Sequence, residues 1–176
     1  LAMIILQVVG YQNSGKTTLI EKLVREFTNR GVKVGTLKHH GHGGKPELPK
    51  KDSTRHWEAG ALVSAVEGDG TLFLTAATHN SCNLSKLIEL YRHFEVDLLL
   101  IEGFKNSPYP KIVCIRDECD LHLLQLQNVV ASISWVPLNE GNSFFISEEK
   151  KYIEWIIQYV KGEGNVCDCE RTDRCH

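Results

Sequence analysis

The apolar positions follow two rhythms that alternate along the chain. Residues 4–9 form a short apolar run, rich in β-branched side chains, ending at Val8 and Val9. Comparable runs fall at 32–38, 111–116 and 129–134, and residues 96–105 hold the longest one, Leu98-Leu99-Leu100-Ile101. That continuous apolar core reads as a central strand covered on both faces. Between the runs, apolar residues recur at helical spacing: Leu19, Ile20, Leu23, Val24 and Phe27, then Leu84, Leu87, Ile88, Leu90 and Tyr91, then Tyr152, Ile153, Ile156, Ile157 and Val160. Gly31 takes the C′ position of the first helix, and the strand after it completes a βαβ unit, so the first two strands are expected to be parallel. A short helix begins where Asp52 or Ser53 can cap it and stops at Gly60. Runs at 62–66 and 71–74 flank Glu67-Gly68-Asp69-Gly70, the spacing of a hairpin. Such a hairpin adds an antiparallel edge that could pair between subunits. Residues 45–51, with Pro46 and Pro49, read as a mobile loop.

The first strand and first helix are joined by Gly10-Tyr11-Gln12-Asn13-Ser14-Gly15-Lys16-Thr17, which matches G-x-x-x-x-G-K-[ST]. Strand, glycine loop and helix stand in the order that phosphate binding needs. Gly10 and Gly15 let the backbone turn tightly and approach a ligand closely. Successive N–H groups then converge at the positive end of the helix, a setting for a polyphosphate. Lys16 would reach the β- and γ-phosphates and the Thr17 hydroxyl would ligate Mg²⁺.

Two carboxylates bracket the central strand, Asp97 at its start and Glu102 at its end. Five residues at about 3.3 Å each separate them by roughly 16 Å, so only one can face the glycine loop. Ligands bind at the C-terminal ends of parallel strands, which selects Glu102 for the Mg²⁺ shell, directly or through water, or for ordering an attacking water. Asp97 then caps or bounds the strand. Gly103 permits close approach by phosphate or a moving loop. Asp52 is a second candidate near the metal, with helix capping as its other reading. Lys38, Arg55 and Lys105 lie close in sequence to the ligand edge and suit phosphate, an anionic partner or a solvated surface. His39, His40 and His42 follow the second strand, where imidazoles suit phosphate contact or partner recognition.

Composition narrows the class. The 176 residues fit one domain, and 42% hydrophobic with 24% charged residues is ordinary for a globular protein. A net charge of −2 gives no basic field, so no nucleic acid is expected. No apolar run reaches the ~20 residues of a membrane helix, and the N-terminal run lacks a charged n-region, so neither a membrane nor a signal peptide is expected and a cytoplasmic protein is. Cys167, Cys169, Cys175 and His176 supply ligands that zinc favours, possible Zn²⁺ donors in a tail at 163–176 led in by Gly162 and Gly164. Redox-sensitive free thiols are the other reading. Cys82, Cys114 and Cys119 stand as isolated thiols.

In that order, the segment 10–18, Lys38-His39-His40-Gly41-His42, Asp52-Ser53-Thr54-Arg55-His56 with Ala59-Gly60-Ala61, and Glu102-Gly103-Phe104-Lys105 resemble the molybdopterin-guanine dinucleotide biosynthesis protein B (MobB) family. The resemblance spans roughly residues 3–160. It implies a GTP-binding domain at 1–162 with weak intrinsic hydrolysis, a homodimer, and an accessory role beside the guanylyltransferase that attaches GMP to molybdopterin, and beside other molybdopterin-handling proteins. By the same resemblance, Gly10, Asn13, Ser14, Gly15, Lys16, Thr17 and Thr18 hold phosphates and Mg²⁺. Asp52 and Glu102 lie on the metal side, and Lys38, His39, Arg55 and Gly103 line the cleft. Lys16, Asp52 and Glu102 are then the candidates for chemistry. The cysteine tail departs from the family pattern.

No guanine-reading N-K-x-D motif is present. The end of the strand at 132–134 or the Pro137-Leu138-Asn139 loop is expected beside the base, with Asn139 able to meet a purine edge. The expected architecture is a P-loop NTPase three-layer α/β sandwich with a mostly parallel sheet and an added antiparallel hairpin. Two other functions fit these motifs: a nickel- or zinc-loading metallochaperone GTPase, and a small-molecule kinase or ligase.

Overall fold

The computed structural model describes residues 3–39, 52–78, 83–139 and 141–172. They fall into two compact units, residues 1–41 with 88–176, and residues 42–87.

The larger unit is built on β1 (Ile4–Val9), β2 (Val34–Lys38), β5 (Leu98–Glu102), β6 (Lys111–Ile115), β7 (Val129–Ser134) and β8 (Ser143–Phe145). They form one sheet in the order β2-β5-β1-β6-β7-β8, and every pair is parallel. All five residues of β5 are buried, as a strand covered on both faces requires.

Alternation along the strands sorts the side chains between two faces. Leu6, Val8, Leu98, Leu100, Ile112 and Cys114 pack with α1 (Lys16–Thr28) and α4 (Glu149–Thr172). Those helices contribute the periodic residues Leu19, Leu23 and Phe27, and Tyr152, Ile156, Ile157 and Val160. On the opposite face, Val9, Val113 and Ile115 pack with Leu123 of a 3-10 helix, Glu118–Gln125. That helix is capped by Asp117, whose side chain accepts from the Cys119 amide. Gly35 of β2 faces the ring of Tyr91 in α3 (Leu84–His93); a Cβ there would lie 2.8 Å from the ring. This is the expected P-loop NTPase sandwich, a mostly parallel sheet between helical layers.

The smaller unit holds α2 (Asp52–Glu58), β3 (Val63–Gly68) and β4 (Thr71–Ala76). The two strands pair antiparallel as a separate two-stranded sheet. Asp69 and Gly70 both have positive φ at the turn, 49° and 71°, the conformation a two-residue hairpin with right-handed strand twist demands. Leu62, Val63, Val66, Leu72, Phe73 and Leu74 are exposed.

The structure adds to or revises the local reading at four points. β2 is parallel to β1 but not beside it, because β5 inserts between them; sequence order does not set spatial order in a doubly wound sheet. α1 closes at an Asn29 cap, and Gly31 supplies the left-handed turn two residues later, at φ 77°. β8 and the 3-10 helix escape the apolar pattern, being only three residues long and of weak periodicity respectively. Gly162 and Gly164 do not interrupt α4, which runs to Thr172 rather than giving way to a flexible lead-in.

Lys111 is fully buried within β6. Its ammonium donates to the carbonyls of Ser107 (2.8 Å), Tyr109 (3.0 Å) and Gln127 (2.6 Å), tying together the loops before β6 and before β7. Lys111→Met would strand three acceptors, so we expect a loss of about 2–4 kcal/mol in urea unfolding, with nucleotide binding the separate readout. An unchanged midpoint would show that these carbonyls find other donors.

Candidate functional site

The glycine loop owes its shape to contacts that only a glycine allows. A Cβ on Gly10 would sit 2.5 Å from Ser14 Oγ and 2.7 Å from the Cys114 carbonyl oxygen of β6. Asn13 (φ 60°) and Gly15 (φ 86°) are left-handed, and Gly15 is the N-cap of α1. Alternating handedness turns consecutive amides into one concavity. Ser14 donates its amide to the Tyr11 carbonyl at 3.3 Å, and the helix ladder starts only with Leu19 donating to Gly15 at 2.9 Å. The amides of Gly15, Lys16, Thr17 and Thr18 have no acceptor among the described residues. They face a helix N-terminus, where the dipole favours an anion.

The Lys16 ammonium folds over this loop, donating to the Tyr11 carbonyl at 2.6 Å and lying 3.5 Å from Ser14 Oγ. Burial lowers its pKa from the ordinary lysine value, and the Glu102 carboxylate opposes that shift.

Glu102 lies against the loop because of strand register. β5 pairs with β1 through Val8 and Glu102, and with β2 through Lys38 and Glu102. The Glu102 side chain, 11% exposed, points to the α1 face. Thr17 Oγ1 donates to both carboxylate oxygens, at 3.3 and 3.1 Å. The Lys38 ammonium pairs with Glu102 at 3.2 Å and donates to Thr17 Oγ1 at 3.3 Å. A hydroxyl and a carboxylate beside an amide cradle are the hard oxygen donors Mg²⁺ takes. An open groove of ≈ 430 Å³ continues from Thr17 and Glu102 between α1 and β2, past Ile20, Val24 and Leu37.

The other named residues divide. His39 donates its amide to the Glu102 carbonyl at 2.9 Å and stacks on Phe104, with centroids 4.2 Å apart. A Cβ on Gly103 would come within 3.1 Å of His39 Cβ. The structure thus gathers Lys16, Thr17, Lys38, His39, Glu102 and Gly103 around one edge. Lys105 lies over the Tyr11 ring, 5.4 Å from its centroid. Asp97 accepts from the Lys33 amide at 2.8 Å, at the opposite end of β5. Asp52 opens α2, and Arg55 is exposed on the same helix, both in the smaller unit. His40, His42, Cys82, Cys175 and His176 lie outside the described residues. No group of three or more His, Cys, Asp or Glu among the described residues is arranged to hold a metal; the side chains of Cys167, Cys169, Cys175 and His176 lie outside that description.

Three residues of this edge were not anticipated. Arg116, immediately after β6, forks onto Asp120 at 2.9 and 3.1 Å and donates to the Gln12 carbonyl at 3.2 Å. Hydrogen bonds from the guanidinium hold the Asp120 carboxyl below its ordinary pKa. The Tyr11 hydroxyl meets His122 Nε2 at 2.9 Å. Arg116 follows a strand at its ligand end and could have been found on that ground. The pairings of Asp120 and His122 are made by the 3-10 helix and had no sequence signal.

The family model for molybdopterin guanine dinucleotide synthesis protein B, MobB, matches residues 5–135. A probable molybdopterin-guanine dinucleotide biosynthesis adapter protein of Bacillus subtilis is 45% identical over 166 residues, 91% of this chain and 95% of the relative. The Escherichia coli adapter protein of the same description is 33% identical over 166 residues, again 91% and 95%. Among solved structures, Bacillus subtilis MobB superposes with a TM-score of 0.77 at 40% identity, covering 89% of this chain and 97% of that one. A MobB homologue from Bacillus stearothermophilus gives 0.75 at 36%, covering 90% and 98%. No helix of the described residues is long and apolar enough to cross a membrane.

Cys114 lies directly beneath Gly10, and burial pushes its thiol up to about 12. It therefore stays protonated across the usual labelling range, while Cys119 is exposed. Iodoacetamide at about pH 8.5 is expected to modify Cys119 and spare Cys114 until the protein unfolds. Peptide mass mapping checks this, and early labelling of Cys114 would contradict the packing under the loop.

Proposed function

The chain belongs to the MobB family, and on that premise we propose that it is a GTP-binding accessory protein of molybdenum cofactor biosynthesis. It would assist the conversion of molybdopterin to molybdopterin guanine dinucleotide. The observation that carries the reading is the amide cradle at Gly15–Thr18 joined to the Thr17–Glu102 pair. Gly10, Asn13, Ser14 and Gly15 shape the turn, and the amides of Lys16, Thr17 and Thr18 receive the phosphates. Lys16 would leave the Tyr11 carbonyl to reach the β- and γ-phosphates. Mg²⁺ would be held by Thr17 Oγ1 and, directly or through water, by Glu102. Bound there, the ion would neutralise phosphate charge and aid hydrolysis, and Lys38 would be free to turn from Glu102 toward phosphate. His39 and Gly103 bound the same edge. Asp52 and Arg55, both on α2 of the smaller unit, enter this proposal through the family resemblance alone. The role proposed is that of a binding switch with weak intrinsic hydrolysis.

The partners are proposed as the molybdenum cofactor guanylyltransferase and molybdopterin-handling proteins, in the cytoplasm. A homodimer is proposed through the hairpin. Its exposed Leu72 and Leu74 lie on one face and Phe73 with Val66 on the other, apolar surface of the kind that marks an interface.

Two measurements test these readings. A nucleotide panel with and without Mg²⁺ is expected to show GTP bound more tightly than ATP, and Lys16→Ala is expected to lower triphosphate affinity by roughly one to two orders of magnitude with the fold intact. Equal affinity for ATP would remove the guanine assignment, and full affinity in Lys16→Ala would remove the cradle. Light-scattering molar mass is expected at twice 19.9 kDa, falling to the monomer in Phe73→Glu. A monomeric parent chain would dismiss the hairpin interface.

A further inference from the structure

One polar side chain sits where the strand pattern calls for an apolar one. Gln7 is the middle of Ile4–Val9 and is fully buried, on the sheet face away from α1. Its Nε2 donates to two consecutive carbonyls, Gly103 and Phe104, each at 2.9 Å. Its Oε1 has no partner among the described residues. Turning the amide over would set Oε1 against two carbonyl oxygens, so the orientation is determined by its neighbours. An unpaired buried acceptor is costly. A leucine would fill the position at no such cost, so the amide is retained for what it holds.

What it holds is the loop leaving β5. Gly103 (φ 96°) and Phe104 (φ 53°) are both left-handed, and Phe104 is not a glycine, so the conformation needs outside support. Gln7 supplies it from below, the His39 ring from the side, and the Ser107 amide by a turn bond to the Phe104 carbonyl at 2.8 Å. A trans peptide aims its C=O and the following N–H in opposite directions. With the Gly103 and Phe104 carbonyls turned inward to Gln7, the amides of Phe104 and Lys105 must point away from the core. Neither has an acceptor among the described residues. The same loop meets the glycine loop at both ends: Glu102 accepts from Thr17, and Lys105 lies over Tyr11.

We propose that Gln7 is a positioning residue that presents the Phe104 and Lys105 amides, with the Lys105 ammonium, as a second anion site for the terminal phosphate of the bound nucleotide. The inference rests on the triphosphate reading of the glycine loop. It makes residues 103–105 the segment that distinguishes triphosphate from diphosphate.

The test is amide NMR on the ¹⁵N-labelled full chain, titrated with GDP and with guanosine 5′-(β,γ-imido)triphosphate in Mg²⁺. The Gly15 and Lys16 amides are expected to shift with both. Those of Phe104 and Lys105 are expected to shift only with the triphosphate. Gln7→Met keeps an unbranched side chain of similar size without the donor; its melting curve reports the fold. In that variant the glycine-loop shifts should persist while the 104 and 105 response disappears. The preference for triphosphate over diphosphate should fall by about tenfold or more. Glycine-loop shifts with no response at 104 and 105 in the parent chain would overturn the inference and leave the proposed function standing. An unaltered response in Gln7→Met would dismiss the role of Gln7. Silence at all four amides would end both readings.

Discussion

The hydrogen bond from Thr17 to Glu102 ties the start of α1 to the end of β5, and the site exists because the sheet makes that contact possible. With β1 between β5 and β6, the loop after β1 is flanked by the C-terminal ends of two other strands. β5 brings the carboxylate and β6 brings the Cys114 backbone against which Gly10 closes. Neither neighbour is adjacent to the loop in sequence. Parallel strands all end at the same edge, so the order of the sheet decides which chemistry collects there.

Charge at this edge is arranged in two groups on either side of the glycine loop. Lys16, Lys38 and Glu102 stand on the α1 side. On the other, Lys105 and Arg116 approach the Tyr11 ring, at 5.4 and 5.9 Å from its centroid, and Asp120 is committed to Arg116. Positive groups therefore exceed negative ones where a polyphosphate would lie, although the chain as a whole carries −2. A slight net negative charge is compatible with local attraction for an anion because exposed charges beyond ~10 Å are screened.

Rigidity around the edge comes from buried polar groups. Lys111 satisfies three loop carbonyls and Gln7 two. Both lie on the face of the sheet opposite α1, one strand apart and paired in register. Each trades apolar burial for hydrogen bonds to irregular backbone that no ladder would pair. The loops between strands are thus held from within.

The sequence by itself determined most of the elements, the glycine loop and the choice between Asp97 and Glu102, because each depends on local periodicity, a fixed spacing or strand length. It also carried the family, through four motifs in order. Only the tertiary structure decided that β5 separates β1 from β2, that Lys38 shares Glu102 with Thr17, and that Arg116 braces Gln12. These are contacts between residues 21 to 104 positions apart, set by sheet order and register rather than by pattern. Gln7 is the clearest case: the string Ile-Ile-Leu-Gln-Val-Val shows a polar residue in a strand, but only folding brings two loop carbonyls, 96 and 97 residues away, to its amide.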